Sequence, residues 1–346
     1  MTIVPSRRQI LRLSAMLMAG MTAAAVRAGG DRKAMARVII DNDFAGDPDG
    51  LFQLAHHLLS RSVDIPLIVS SHLPVKFGGP RSATDGLGQV RDLLKVMGLD
   101  GQYSVVSGAE RSLVSRTNPA PTLATAAIVK EAMRDGASEP LFYAAGASLT
   151  ELAMAWVAEP RIGRRLKLVW IGGREHDQLA YPPPGKDEAE FNFGIDPLAA
   201  QIIFNESDIE IWQVPRDAYR QMLFSRAEMT DSAASSTVAR YLQQKMDGMA
   251  EAIAKIPGLS AMGAAETYIL GDSPLVTLTA LMSPIAPDPS SSRYVHMPTP
   301  RIDANGRYQA TTSGRPMRVY TSIDSGLTIR DMIAKFKASG NARKGI

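Results

Sequence analysis

The strongest constraint in this sequence is a short apolar run that ends in acid. Val38-Ile39-Ile40 leads directly into Asp41, Asp43, Asp47 and Asp49, with Gly46 and Gly50 nearby, and apolar residues return at Leu51, Phe52 and Leu54. A continuous β-branched run reads as a strand buried on both faces, as in parallel sheets covered by helices. The four carboxylates therefore occupy a strand-to-helix turn. In open α/β sheets such turns lie at the carboxyl edge of the strands, where ligands usually bind.

From residue 36 onward short β-branched runs alternate with longer helical patterns, and no internal repeat or low-complexity linker interrupts them. That alternation predicts an α/β fold with an open, mostly parallel (mixed) sheet flanked by helices. Predicted strands cover Arg37–Ile40, Ile65–Ser70, Tyr103–Ser107, Pro140–Ala144, Leu166–Ile171 and Ile209–Val214. Predicted helices cover Leu51–Ser60, Gly86–Met97, Thr122–Arg134, Leu149–Ala158 and Pro197–Phe204. The last has a clear start, because Asp196 can cap free N–H groups while Pro197 sits in the first turn, where its missing donor costs nothing. Farther on, Pro284–Ser292 reads as a surface loop, Ala304-Asn305-Gly306 as a tight hairpin turn, Met317–Ser322 as a strand and Thr328–Ala338 as a helix. A single domain over residues 36–338 follows.

The first 28 residues stand apart. Ser6-Arg7-Arg8-Gln9-Ile10-Leu11-Arg12 precedes an apolar run from Leu13 to Val26 and then Ala28 before a glycine pair. This is the pattern of a removable export signal, and its paired arginines resemble the twin-arginine type. It predicts a periplasmic or secreted protein without stable membrane association. The alternative, an uncleaved anchor, is weakened by the length of the run, since a span needs about 20 apolar residues. Without Arg7, Arg8, Arg12 and Arg27 the formal charge falls by four from +3 to −1. No basic stripe remains for a nucleic-acid partner. The chain has no cysteine, which excludes disulfides, thiolate zinc sites and cysteine nucleophiles.

Crowded carboxylates repel one another unless a cation, protons or solvent compensates. A turn rich in oxygen donors and free of thiol and imidazole suits calcium or magnesium better than zinc or copper. The simpler alternative is that these acids cap the helix and face solvent, Asp47 before Pro48 being a good N-cap.

The cluster resembles the N-terminal signature of the inosine-uridine-preferring nucleoside hydrolases, and further segments match that family in order. They are Phe142-Tyr143-Ala144-Ala145-Gly146 leading into Leu149-Thr150-Glu151-Leu152-Ala153, then Val169-Trp170-Ile171-Gly172-Gly173, then Ala189-Glu190-Phe191-Asn192-Phe193-Gly194-Ile195-Asp196-Pro197, and Leu270-Gly271-Asp272-Ser273-Pro274-Leu275. The resemblance implies a nucleoside-hydrolase-like fold and calcium-dependent cleavage of the N-glycosidic bond of ribonucleosides by a metal-activated water. It implies Asp43 as metal ligand and water base, with Asp47 or Asp49, the Ala145 carbonyl and Asp272 completing the metal shell. Glu190 and Asn192, with Asp49 where one acid covers two roles, would hold the sugar hydroxyls. A homo-dimer or homo-tetramer is implied in the same way.

Two departures fall on chemistry. The family commonly places two adjacent aspartates at the helix start, where this chain has Asp47-Pro48-Asp49-Gly50. Gly271 stands where purine-active members often have the histidine that protonates the leaving base. The ribose-contacting Gly-Asn of many members is also absent from Ile68–Leu73. His176, His72 and Tyr268 are the candidates for the missing acid, with His176 preferred; His56, His57 and His296 read as structural or surface residues. Two competing readings remain. Asp41-Asn42-Asp43 also resembles the nucleophile motif of haloacid-dehalogenase-like phosphatases, and the incomplete acid pair suits a ribonucleoside-binding protein that no longer cleaves.

Overall fold

The apolar runs do form the centre of a sheet. A computed structural model of the protein describes residues 33–117, 120–184, 188–285 and 288–342. The proposed signal, 1–28, lies outside the described residues, and the fold below is that of the compact unit that begins at Ala34. In chain order its main elements are β1 (Ala36–Asn42), α1 (Asp49–Leu58), β2 (Val63–Ser70), α2 (Ser82–Met97), β3 (Val105–Ser107), α3 (Leu123–Ala132), β4 (Leu141–Ala145), α4 (Thr150–Ala158), β5 (Leu166–Ile171), α5 (Phe191–Ile195), α6 (Pro197–Asn205) and β6 (Glu210–Val214). There follow β7 (Leu223–Ser225), α7 (Arg226–Ser235), α8 (Thr237–Ala254), β8 (Thr267–Ile269), α9 (Pro274–Thr279), β9 (Arg293–Pro298), β10 (Arg301–Ile302), β11 (Tyr308–Gln309), β12 (Pro316–Ser322) and α10 (Ser325–Ala342).

Eight strands make one open sheet in the order β3-β2-β1-β4-β5-β6-β12-β9. Pairings are parallel throughout except β12 with β9. Because successive side chains of a strand point to opposite faces, β1 feeds two apolar layers at once. Val38 and Ile40 pack with Leu51, Phe52 and Leu54 of α1 and with residues of α2, α8 and α10. Ile39 packs on the other side with Tyr143, Leu168 and Trp170 and with residues of α3, α4 and α6.

The strand order fixes where a ligand can bind. From β1 the chain builds outward through β2 and β3, then returns to the other side of β1 with β4, β5 and β6. The order therefore reverses between β1 and β4. Loops leaving the carboxyl ends of two such strands diverge to opposite faces and leave a crevice.

Several expectations are refined. Strand β5 occupies the predicted residues, and Asp196 caps α6 as expected, its Oδ1 accepting from the Ala199 N–H at 3.0 Å. The hairpin at β10–β11 forms, but of Asn305 and Gly306 only the glycine has positive φ, +76°. The Asp303 carbonyl accepts from Gly306 N–H at 3.1 Å, so the turn is one residue longer than a bare Asn-Gly loop. The segment 215–300 contributes α7 and α8, the short antiparallel pair β7–β8, and the sheet-edge strand β9, none of them anticipated. No helix of the described residues is long and apolar enough to cross a membrane.

Asp196 does more than cap. Its Oδ2 also accepts from the Leu113 N–H at 2.8 Å and the Thr150 hydroxyl at 2.7 Å, tying the segment after β3 to α4 and α6. Asp196→Ala removes a cap and strands a backbone donor, so it is expected to lower unfolding stability by about 2–4 kcal/mol in denaturant titrations, with Asp196→Asn losing less.

Candidate active site

Strand alternation sorts the three polar residues that end β1. Asp41 falls on the face of Ile39 and Asn42 on the face of Ile40, while Asp43 is the first residue past the strand. Asp41 is fully buried, accepting from the Ser71 hydroxyl and, at 2.5 Å, from Tyr143. Burial pushes its carboxyl up to about 7. A side chain sealed and bonded in this way cannot attack a substrate, which removes the phosphatase reading.

The crevice at the switch point is an open cavity of ≈ 640 Å³, within the usual size range for small-molecule sites. Asp43, Asp47, Asp49, Glu190, Asn192 and Asp272 all line it. The loop after β1 brings Asp43 and Asp47, the first turn of α1 brings Asp49, the turn before α9 brings Asp272, and the start of α5 brings Glu190 and Asn192. Pro48 rather than Asp47 holds the N-cap position of α1; Asp47 instead accepts from the Asp49 N–H at 3.2 Å and from the Tyr268 hydroxyl at 3.0 Å. The Asp272 N–H donates to Asp49 Oδ2 at 3.3 Å, closing the turn before α9 onto α1.

Three of these acids are electrostatically costly as they stand. Burial raises Asp43 and Asp49 well above the ordinary carboxylate range, and the charges of Asp272 and Asp47 raise both further. Burial carries Asp272 up to about 7, the amide of Asn42 pulling the other way. A divalent cation relieves this kind of repulsion, and the donors on offer are all oxygen, so the residues fit a hard cation. Among the described residues no group of three or more acidic or histidine side chains is already closed into a metal cage.

Glu190 and Asn192 are braced by the fold itself. Glu190 Oε2 accepts from the Gly173 N–H at 2.7 Å and the Phe193 N–H at 3.0 Å, and Oε1 from the Asn192 N–H at 3.2 Å and the Tyr219 hydroxyl at 2.9 Å. Four bonds fill the roughly four acceptor positions of a carboxylate. A ligand hydroxyl reaching Glu190 must displace one, and Tyr219 is the side-chain donor among them. Asn192 spends both amide hydrogens on the carbonyls of Gly146 at 3.0 Å and Ile171 at 2.8 Å, so what it offers a ligand is its Oδ1.

Two expected members are elsewhere. Ala145 is still inside β4, paired in register with Asp41 and Trp170, and does not line the cavity; Gly146, the first residue past the strand, does. The first backbone carbonyl past the end of β4 at the cavity is that of Gly146. His176 is also away from the cavity, only 3% exposed, stacked on Tyr308 with ring centroids 4.0 Å apart and bonded to Gln213 Oε1 at 2.8 Å. The loop after β5 folds back onto β11 and takes the ring with it. His72 is buried beside Ser112, and Tyr268 reaches the site only through Asp47. The proton-bearing side chains of the wall, besides the acids, are Lys76 and Tyr219; sequence reasoning passed over both, together with the apolar flank of Phe77, Phe191, Ile253, Ile256 and Leu259.

The family model described as inosine-uridine preferring nucleoside hydrolase matches residues 38–343. The chain belongs to that family. Curated relatives include the inosine-uridine preferring nucleoside hydrolases of Crithidia fasciculata, 49% identical over 67 residues, and Leishmania major, 52% identical over 60 residues. These matched stretches are 19% and 17% of this chain and span 18% of each relative. Among solved structures, a plant nucleoside hydrolase superposes with a TM-score of 0.67 at 18% identity, covering 88% of this chain and 99% of its own. A purine-preferring ribonucleoside hydrolase from Gardnerella vaginalis gives 0.65 at 16% identity with the same coverage. At that identity the likeness establishes the nucleoside-hydrolase fold, an α/β fold with a mixed, mostly parallel eight-stranded sheet.

The raised carboxyls set a pH dependence for this family member. Asp41 and Asp272 hold their protons up to about pH 7 when folded and only to about 3.8 when unfolded. Between those values the folded state binds more protons, so stability falls as pH rises. The buried histidines His57 and His176, held neutral, slope the other way, so the check is a difference: Tm at pH 4.5 minus Tm at pH 7.5, measured in chelator, is expected to be smaller in Asp272→Asn than in the unaltered chain.

Proposed function

We propose that this chain is a calcium-dependent nucleoside N-ribohydrolase that cleaves the bond between base and ribose with water. The observation that carries the reading is the convergence of Asp43, Asp49 and Asp272 on the same cavity as Glu190 and Asn192. Bound among those acids and the Gly146 carbonyl, calcium would orient and acidify the attacking water.

The remaining steps belong to the protein. Asp43, the more deeply set of the two acids in the loop after β1 at 8% exposure, takes the proton of the water. Asn192 Oδ1 and Glu190, released from Tyr219, accept from sugar hydroxyls and hold the ring against the acids. The negative charge around the cavity floor favours the positive charge that develops on the sugar as the glycosidic bond lengthens. The base lies along the apolar flank of Phe77, Phe191 and Ile253, beside Lys76.

Residues 1–28 support export to the periplasm or beyond. Sequencing the N-terminus of the exported protein is the direct check, with processing expected after Ala28.

The decisive assay is free ribose released from a panel of nucleosides with calcium present. Turnover that falls by about 10²–10⁴-fold in Asp43→Asn supports the hydrolase. Saturable nucleoside binding with no ribose release from the unaltered chain would instead make it a binding protein, the reading that Pro48 and Gly50 in place of a second acid keep in play.

A further inference from the structure

The absent second acid has a structural counterpart, and it is Asn42. This residue is fully buried, and its carboxamide lies between two glycines. A Cβ on Gly50 would sit 2.9–3.1 Å from the carboxamide atoms of Asn42, and one on Gly146 would sit 2.8 Å from both Asn42 Cγ and Asp272 Cγ. Gly50 is one of the two positions where the family's second aspartate would fall. The space beside it is taken by an amide from the neighbouring strand.

The hydrogen bonds leave that amide one orientation. Asn42 Oδ1 accepts from the Asp43 N–H at 2.9 Å, so Nδ2 faces the other way and donates to Asp272 Oδ2 at 2.8 Å. Its second hydrogen points to Gln53 Oε1 at 3.4 Å, and Gln53 Nε2 donates to His57 Nδ1. On the far side His57 Nε2 meets Thr279 Oγ1 at 2.8 Å, and that hydroxyl is itself committed to the Leu275 carbonyl at 2.6 Å. Thr279 therefore accepts from His57, which carries its proton on Nε2 and accepts on Nδ1. Gln53 and His57 are fully buried, and burial keeps the imidazole neutral, as this pattern requires. A continuous chain of side chains thus runs from the hydrophobic layer under α1 and α9 to the cavity floor. Buried amides without partners are costly, so every link holds the next in place.

We propose that Asn42 is a positioning residue that fixes the Asp272 carboxylate for cation binding, and that Gln53 and His57 hold the Asn42 amide in the orientation this requires. The assignment rests on the calcium reading above. Asp272 reaches the site from the turn before α9, and the Asn42 amide ties its carboxylate to the central strand. With Oδ2 held by an amide hydrogen, Oδ1 is the oxygen left to turn to the cation. The arrangement also explains the two glycines, since a side chain at either position would displace the amide.

The test is calorimetric titration of the folded chain with calcium alone, alongside Tm with and without calcium. Asn42→Ala is expected to weaken calcium binding by about 10-fold or more, the usual size of effect for groups that orient ligands, and to shrink the calcium-induced rise in Tm. Gln53→Met, close in volume, is expected to weaken binding in the same direction by a smaller factor and guards against an Asn42 variant that does not fold. Gly50→Ala should also weaken binding in the unaltered background, and should matter less when Asn42 is already alanine. Variants that lower Tm yet bind calcium as tightly as the unaltered chain, with the full calcium-induced rise, overturn the proposal while leaving the calcium reading intact. An unaltered chain that takes up no calcium overturns both.

Discussion

Repulsion among buried carboxylates is the constraint around which this molecule is organised. Asp43, Asp49 and Asp272 are held where solvent reaches them poorly; the charge of Asp272 raises the proton affinity of both others, and that of Asp43 raises Asp49's. Such a cluster persists because the elements carrying it are anchored independently of it. Strand β1 is buried along its whole length and contributes to apolar layers on both faces of the sheet. Its strained end is a small part of what the strand contributes. The acids do not hold the fold together; the fold holds the acids together.

The same logic accounts for the division of labour at the site. The acids and the amide that line the cavity stand just past strand ends or at helix starts, and those that brace them are embedded in the sheet. Asp41 and Asn42 are neighbours in sequence but opposite in face, one tied to Ser71 and Tyr143, the other to Asp272 and Gln53. Glu190 and Asn192 are braced by backbone groups of β5 and the turn that follows it, and by Gly146. Their usefulness lies in how little they can move.

Much of this was legible in the sequence wherever a local pattern carried the information. The continuous apolar run Val38–Ile40, the strand Leu166–Ile171 and the Asp196-Pro197 helix start are local signals, and each reappears in the structure. The five cavity acids and the amide were found because their motifs keep family order. What was missed depends on contacts distant in sequence. His176 stacks on Tyr308, a partner no spacing rule pairs with it. The shift from Ala145 to Gly146 is a one-residue question about where a strand ends, which local pattern does not settle. Helix α8 is different, since Val238, Leu242, Met246 and Ala250 repeat at helical spacing and are buried; the signal was present and went unread. Asn42 could have been found as well, because alternation along β1 alone places it on the α1 face.

The bond from Asn42 to Asp272 joins residues 230 positions apart. A contact of that span forms only after the intervening strands and helices have found their places, since closing so long a loop before them has little to offset its entropy. The cavity floor is therefore among the last parts of the molecule to exist. A nascent or partly unfolded chain has the acids but not the site, and no excised fragment carries it. Anything that binds there selects the finished molecule over every incomplete one, so that occupancy reports on completed folding and stabilises the whole chain by mass action.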